Sequence, residues 1–429
     1  MAHSVYLAST EAHAAKSTVA LGLLNIFATT VQRTAVFRPL VRSNAERDAV
    51  LDLLLPRTSV DLAYEECVGV TYDELHADPE SALSTVIDRY RAIEKKADMV
   101  VVVGSDYTGV ASPAELDHNA RIAANIGSGV ILVMSGSDKP AHEIAEAARL
   151  ALEDMQSHHA TVVGVMANRV PEEELSEVDA ELAKLHLPTW TLPEIPLLLS
   201  ATVEEVRAAL GASLLYGDPE LLAREAEHLL VAGMNTEHIL ERLKEGQLVI
   251  APSDRPAVLI ALISAHAAES FPSLSGVILN GGFPVPASVD QLVRGFGQRI
   301  PILTTPQDSF TTARIASRTR GSLTPQTQRK VDVALAAFER HVEPGSVLER
   351  INFEAPNVVT PLMFESRLLE RARAARKHIV LPEGEDDRIL RAASTLLARD
   401  VAKLTILGDE KTIRARAAEL ALDISAATV

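Results

Sequence analysis

Residues 361–429, PLMFESRLLERARAARKHIVLPEGEDDRILRAASTLLARDVAKLTILGDEKTIRARAAELALDISAATV, alternate between two hydrophobic spacings. Two short apolar runs, His378–Leu381 and Leu404–Leu407, are typical of strands, and apolar residues three or four apart around them are typical of helices. Alternating helices and strands predict a parallel sheet, which needs helices on both faces and usually more than two strands. The segment therefore predicts the beginning of an α/β domain, incomplete at Val429.

The most specific pieces of this segment are IVLPEGEDDRILRAA (Ile379–Ala393) and LTILGDE (Leu404–Glu410). They resemble the opening of the phosphate acetyltransferase and phosphate butyryltransferase catalytic domain. The resemblance implies reversible conversion of acetyl-CoA and inorganic phosphate to acetyl phosphate and CoA, with coenzyme A as a substrate and no tightly bound cofactor. It also implies that the catalytic carboxylate, serine and arginines lie beyond Val429, so no catalytic residue is assigned within the chain.

An acidic turn follows the first of these strands. Glu383, Glu385, Asp386 and Asp387 lie just before the next predicted helix or at its start. Negative charge in a first helical turn stabilises it by ~0.3–1 kcal/mol, which accounts for most of the cluster. Glu383 also stands just past a strand's carboxyl end, where the ligand clefts of α/β sheets open. We therefore keep Glu383 and Arg388 as candidates to line a cleft.

The first 200 residues also alternate strands and helices. Three continuous apolar runs, Met99–Val103, Val130–Met134 and Thr161–Met166, are typical of strands buried on both faces. Further strands are predicted at Ser4–Ala8 and Ile195–Leu199. The arrangement predicts a doubly wound, parallel-sheet, P-loop-like domain.

The first strand leads into TEAHAAKST, where a P-loop would lie. The motif G-x-x-x-x-G-K-[ST] needs glycine where this chain has Thr10 and Ala15. Glycines matter because they let backbone N–H groups face a phosphate without a Cβ in the way. Lys16, Ser17 and Thr18 are therefore candidates only for a degenerate nucleotide site, and a helix-start role for Lys16 is favoured.

This region resembles the dethiobiotin-synthetase-like domain that opens long phosphate acetyltransferases, where the loop is commonly degenerate. Asn168, after a buried strand, could contact a base, but a turn role at the strand end is favoured. Asp106 follows the strand Met99–Val103, where a metal-binding carboxylate would stand, and a capping or turn role is favoured there too.

A second α/β unit is predicted after a break near residues 201–219. Its predicted strands are Leu248–Ala251, Gly276–Leu279 and Pro301–Leu303. The three predicted units are residues 1–205 (degenerate P-loop domain), 206–345 (smaller α/β domain) and 346–429 (incomplete third α/β domain).

The stretch PSDRPA of the second unit resembles the DRTGG-domain signature of these enzymes. Asp254 and Arg255 match the signature, whereas Pro256 and the residues after it replace Thr-Gly-Gly. The alternative is a turn in which Asp254 caps a helix and Pro256 lies early in that helix.

Composition limits the partners. The net charge of −17 disfavours nucleic acid, because phosphate backbones need clustered cations. Cys67 is the only cysteine, so neither an intrachain disulfide nor a thiolate metal site can form, and the adjacent His158 and His159 point to different sides, so we predict no metal site. No apolar stretch approaches the ~20 residues of a membrane helix. A cytoplasmic location is therefore expected, and the resemblance to long phosphate acetyltransferases implies a homo-oligomer with a small-molecule effector.

Three functions are open from the sequence. The first is the regulatory and assembly part of a phosphate acetyltransferase, with the start of its catalytic domain, inactive by itself. The second is an ATP-dependent ligase of the dethiobiotin-synthetase type, which Thr10 and Ala15 disfavour. The third is a non-catalytic regulatory or oligomerisation module.

Overall fold

The first domain is built on a seven-stranded sheet. The computed structural model describes residues 3–11, 14–105, 114–268, 270–296, 300–351, 364, 368, 371–398, 401–420 and 422–429. The strands of the first sheet are β1 (His3–Ser9), β2 (Thr34–Val41), β3 (Val68–Thr71), β4 (Met99–Val103), β5 (Gly129–Ser135), β6 (Val162–Val170) and β7 (Thr189–Pro193). All pair in parallel, in the order β3-β2-β4-β1-β5-β6-β7. The predicted doubly wound sheet is confirmed.

Helices cover this sheet and share its hydrophobic core. They are α1 (Lys16–Thr30), α2 (Ala49–Leu54), α3 (Tyr72–Ala77), α4 (Pro79–Glu94), α5 (Ala114–Ile126), α6 (Ala141–Ser157), α7 (Leu175–Leu182) and α8 (Pro196–Leu199). Local chemistry sets several starts. Thr71 and Glu74 form a capping box for α3, and the Asp78 carboxylate accepts from the Ser81 N–H to begin α4.

The strand predicted at Ile195–Leu199 is wrong. The last strand of the sheet, β7, lies earlier, and Pro196 begins the short helix α8. Proline suits the first helical turn because its φ is already close to the helical value and the missing N–H has no helical partner there.

The second domain holds a five-stranded sheet. Its strands are β8 (Ser213–Tyr216), β9 (His228–Val231), β10 (Gln247–Pro252), β11 (Leu274–Asn280) and β12 (Ile302–Thr304), in the order β8-β12-β11-β10-β9. Only β8 is antiparallel. The domain's helices are α9 (Val203–Leu210), α10 (Thr236–Leu240), α11 (Pro256–Ala267), α12 (Ala287–Gly295) and α13 (Ser309–Arg318). The sequence missed β8 and β9, which are short edge strands with no fully buried residue.

The chain then returns to the first domain. Helices α14 (Gln328–His341) and α15 (Pro344–Ile351) follow the second domain, yet their buried side chains belong to the first core. Phe338 lies directly over Gly22 of α1, where a Cβ would stand 2.2 Å from the phenyl ring. The Trp190 indole N–H of β7 donates to Ser346 Oγ at 3.1 Å. The division at 205/206 and 345/346 stays a prediction.

A buried lysine joins the two chain connections between the domains. Lys330, in the first turn of α14, is buried, and its Nζ donates to the Ser200 carbonyl at 2.6 Å and lies 3.5 Å from the Ser322 carbonyl. Ser200 belongs to the outgoing connection and Ser322 to the returning one. Burial lowers the pKa of Lys330, with Glu205 and Glu225 acting in the opposite direction.

The third unit is a two-stranded parallel sheet with helices. It comprises β13 (His378–Leu381), α16 (Asp387–Ala398), β14 (Lys403–Ile406) and α17 (Glu410–Glu419). Thr428 forms a parallel bridge with Thr405, the first residue of pairing for another strand. Ile379 and Val380 of β13 are 40% and 52% exposed. The predicted strand–helix–strand–helix order is confirmed. None of the helices described here has the combined length and apolar character needed to cross a bilayer.

Replacing Phe338 by alanine should lower the free energy of unfolding of the first domain by ~3–5 kcal/mol, because a buried phenyl group leaves a cavity against α1. Trp190 is the only tryptophan and lies in β7, so its fluorescence in a urea titration follows this domain alone. The control Phe310→Ala removes a side chain that is 77% exposed and should change little. Equal effects of both variants would contradict the placement of α14 in the first core.

Candidate functional site

The degenerate P-loop lies at the position that a nucleotide site would take. It follows β1, which is paired with β4 on one side and β5 on the other, so it stands where the strand order changes direction. Ala15, the residue before α1, has φ +53°, a left-handed conformation that glycine adopts without strain. The backbone therefore keeps a P-loop-like turn although the second glycine of the motif is missing.

Lys16 points into the protein. Its side chain is buried, with 2% of the residue exposed, and Nζ donates to the Ser105 carbonyl at 2.6 Å. In a working P-loop the corresponding lysine reaches the β- and γ-phosphates. Here the ammonium is held by the chain just past β4. Ser17 is half-buried and Thr18 is buried, whereas Asp106 lies outside the described residues.

Asn168 closes the loop from the end of β6. Its side-chain amide donates to the Ala14 carbonyl at 3.0 Å and lies 3.3 Å from the Ala15 carbonyl. The side chain is buried, and its Oδ1 accepts from the Arg169 N–H at 2.9 Å. These contacts fit a structural role in which Asn168 holds the loop in place.

A carboxylate of the loop itself, Glu11, contacts residues at and just after the end of β5. Glu11 Oε1 accepts from the Ser135 N–H at 3.0 Å, and Oε2 pairs with Lys139 Nζ at 2.6 Å. Both groups are partly exposed. A negative charge there repels a phosphate, and the nearby lysine is already neutralised, so the local electrostatics disfavour an anion.

Sequence reasoning missed a buried arginine beside this loop. Arg38 of β2 pairs with Asp48 at 3.1 Å, and its Nη1 donates to the Val103 carbonyl at 2.9 Å and also to the Gly104 carbonyl. Both side chains of the pair are at least nine-tenths buried. A charged residue in the otherwise apolar strand TAVFRPLV was the available signal. The Arg38 guanidinium thus donates to two backbone carbonyls at the carboxyl end of β4.

Two further buried hydrogen bonds lie next to the carboxyl end of β4. The Tyr6 hydroxyl donates to Asn119 Oδ1 at 2.7 Å, and the Ser105 N–H donates to the same oxygen at 3.1 Å. Burial raises the pKa of Tyr6. Asn119 on α5 therefore positions the carbonyl of Ser105 that holds Lys16.

In the second domain, the loop after β10 also forms hydrogen bonds to other parts of the protein. The Arg255 guanidinium donates to the Ala232 carbonyl at 2.9 Å and to the Met234 carbonyl at 2.8 Å. Asp254 was expected as an alternative helix cap, but Arg255 occupies the position before α11, and Pro256 begins the helix. Ser253 Oγ accepts from the Phe283 N–H at 3.0 Å. The loop is therefore fastened to neighbouring turns.

In the third unit, Glu383 lies in the turn after β13 and Arg388 lies in the first turn of α16, and both are exposed. The Arg388 side chain, 88% exposed, pairs with Asp386, with Nη2 2.8 Å from Oδ2. Hydrogen bonds from Arg388 lower the pKa of Asp386 to about 2. Asp387 pairs with Arg416 at 2.8 Å. The acidic turn is thus matched by arginines, and whether Glu383 and Arg388 line a cleft stays a prediction.

Nearly the whole chain is similar to known proteins. Family models match in chain order: an AAA domain over residues 3–215, a DRTGG domain over 205–319 and a phosphate acetyl/butaryl transferase over 363–429. The phosphate acetyltransferase of Nitratidesulfovibrio vulgaris is 32% identical over 439 residues, covering 99% of this chain and 62% of that protein. The chain is therefore similar to phosphate acetyltransferases along almost its whole length.

The similarity covers nearly all of this chain but only part of each relative. The phosphate acetyltransferase of Synechocystis is 29% identical over 425 residues, covering 96% of this chain and 61% of that protein. The chain therefore spans about three-fifths of the length of these relatives. Among solved structures, the septum site-determining protein MinD of Pyrococcus horikoshii is 16% identical with a TM-score of 0.31, covering 46% of this chain and 84% of that one. That likeness is too low to carry an argument about function.

Because Lys16 and the loop carbonyls are bonded within the protein, we expect no ATP hydrolysis and no micromolar affinity for MgATP. Isothermal titration calorimetry measures this directly. Micromolar binding that disappears in Lys16→Ala, and persists in the control Lys184→Ala at an exposed position, would contradict the expectation.

Replacing Arg388 by glutamine should raise the pKa of the Asp386 carboxyl from about 2 towards the ordinary value of 3.8. The lowered pKa means that this pair stabilises the turn above about pH 4 and that the effect is lost as pH falls towards 2. Carboxyl-carbon NMR follows the titration. The control is Asp423, whose pKa is lowered by Ser425 instead and should not respond to the substitution.

Proposed function

We propose that this chain is the regulatory and assembly part of a phosphate acetyltransferase together with the beginning of its catalytic domain. This proposal rests on the similarity to a phosphate acetyltransferase over 99% of the chain, together with the match of residues 363–429 to the phosphate acetyl/butaryl transferase model. The proposed reaction converts acetyl-CoA and phosphate to acetyl phosphate and CoA, reversibly. Coenzyme A takes part as a substrate, with no tightly held cofactor.

The proposed chemistry is direct acyl transfer. A phosphate oxygen forms a bond to the acetyl carbonyl carbon, the carbon–sulfur bond breaks, and the CoA thiolate takes up a proton. The reverse reaction is thiolate attack on acetyl phosphate. Either direction needs an acid–base group for the thiol, cations for the phosphate and donors for the developing oxyanion. In the described third unit, the arginines of the acidic turn are matched by carboxylates. Glu383 and Arg388 stay candidates that line the cleft, and the central catalytic groups are assigned to the rest of the domain.

For the first two domains we propose a regulatory and assembly role. A role as an ATP-dependent ligase is disfavoured, because Lys16 is bonded to the Ser105 carbonyl and Glu11 places negative charge at the loop. Homo-oligomer formation is supported by apolar side chains of the third unit that remain exposed, among them Val380 and Leu407. A small-molecule effector is part of the proposal. Cytoplasmic location is consistent with the single cysteine, because a chain in a reducing compartment needs no disulfide.

We expect that residues 1–429 alone have no measurable phosphate acetyltransferase activity and that the full-length natural protein has it. The assay follows CoA release from acetyl-CoA and phosphate with a thiol-reactive chromophore. Turnover by the 429-residue chain that is abolished by Glu383→Ala or Arg388→Ala, and kept by the control Arg414→Ala on α17, would place the chemistry here instead. An inactive full-length protein would refute the proposed function.

A further inference from the structure

Three metal-ligating side chains converge between α5 and α6. Asp117 lies in the first turn of α5, Asp154 in the last turn of α6, and His158 just after α6. One donor atom from each lies within 4.8 Å of the donor atoms from the other two. His158 Nε2 is 3.7 Å from Asp117 Oδ1. Asp154 and His158 are only four residues apart, but Asp117 comes from another helix, so spacing along the sequence does not bring the three together.

Hydrogen bonds fix which imidazole nitrogen carries the proton. The Ser157 hydroxyl donates to the Asp154 carbonyl at 2.8 Å, so its oxygen is left to accept. His158 Nδ1 lies 3.0 Å from that oxygen and 3.1 Å from the Asp154 carbonyl oxygen. Both neighbours are acceptors, so Nδ1 is the protonated nitrogen. In the neutral ring, Nε2 then presents its lone pair towards Asp117.

Two lone-pair donors face each other in that arrangement. The Nε2 lone pair and the Asp117 carboxylate repel one another unless a proton or a cation lies between them. A histidine whose Nδ1–H is held by a backbone carbonyl, with Nε2 free to ligate, is the usual outer-shell arrangement of a metal-binding histidine. The position of Asp154 also favours a cation. The helix dipole disfavours a carboxylate at the carboxyl end of a helix, and a bound cation would offset that unfavourable interaction.

We propose that Asp117, Asp154 and His158 form a divalent transition-metal site that links α5 to α6. One imidazole nitrogen and two carboxylate oxygens suit Zn²⁺, whose bonds to such donors are about 2.0–2.2 Å. Mg²⁺ and Ca²⁺ favour all-oxygen sites and suit it less. The donors are partly exposed, so small side-chain movements can close the present separations and water can complete the coordination. The site is independent of the acyl-transfer chemistry.

The experiment is a calorimetric titration of the whole chain with ZnCl₂ and, separately, MgCl₂. We expect one equivalent of zinc per chain, with much weaker magnesium binding. His158→Ala and Asp117→Asn should each weaken zinc binding by at least ~10-fold, because each removes a ligand. His159→Ala is the matched control: it removes the adjacent, exposed histidine and should leave the affinity unchanged.

A second measurement separates loss of the site from loss of the fold. Zinc should slow amide hydrogen exchange in residues 114–126 of the natural sequence and not in Asp117→Asn, while circular dichroism confirms that the variant is folded. The proposal is overturned if the natural chain does not bind zinc, if both ligand variants bind as tightly as it does, or if His159→Ala loses as much affinity as His158→Ala. An ordinary His158–Asp117 ion pair gives the first of these results.

Discussion

A parallel sheet must be covered on both faces, and this requirement organises the amino-terminal two-thirds of the chain. Strands β1, β4 and β5 are almost wholly buried, so each face needs helices. Part of that cover comes from beyond the second domain, because α14 packs Phe338 against Gly22 of α1. The second domain therefore lies between two stretches of chain that share one hydrophobic core.

Polar groups in and around the degenerate P-loop are bonded to other groups of the same domain. Lys16 and Asn168 are bonded to backbone carbonyls, and Glu11 pairs with Lys139. In a nucleotide-binding relative, the ligand would meet several of these groups. Here other groups of the protein form the hydrogen bonds of Lys16, Asn168 and Glu11. The domain has a doubly wound parallel sheet, and the polar groups at the carboxyl end of β1 are bonded within the protein.

The sequence predicted the strands that have long continuous apolar runs, but it missed β3, misplaced β7 and predicted few of the polar contacts. Continuous apolar runs such as Met99–Val103 carry their own signal, because burial on both faces forbids polar residues. The edge strands β8 and β9 lack that signal. The apolar residues around Pro196 resemble a buried strand, although the segment forms a short helix. The roles of Arg38, Asn168 and Lys330 depend on partners far away in the chain, which local spacing does not encode. The sequence predicts where Lys16 and Arg388 lie relative to the strands before them. It does not predict that Lys16 bonds to the Ser105 carbonyl or that Arg388 pairs with Asp386.

The two connections between the domains have a mechanical consequence. A domain attached by a single linker can turn in any direction, whereas one attached at two points can turn freely only about the line that joins them. The connections at Ser200 and Ser322 are close enough for the ammonium of Lys330 to lie between their carbonyls. Any other rotation of the second domain must stretch a connection or pull an oxygen away from a buried positive charge. The two connections thus restrict how the second domain can rotate against the first, and Lys330 links them through the carbonyls of Ser200 and Ser322.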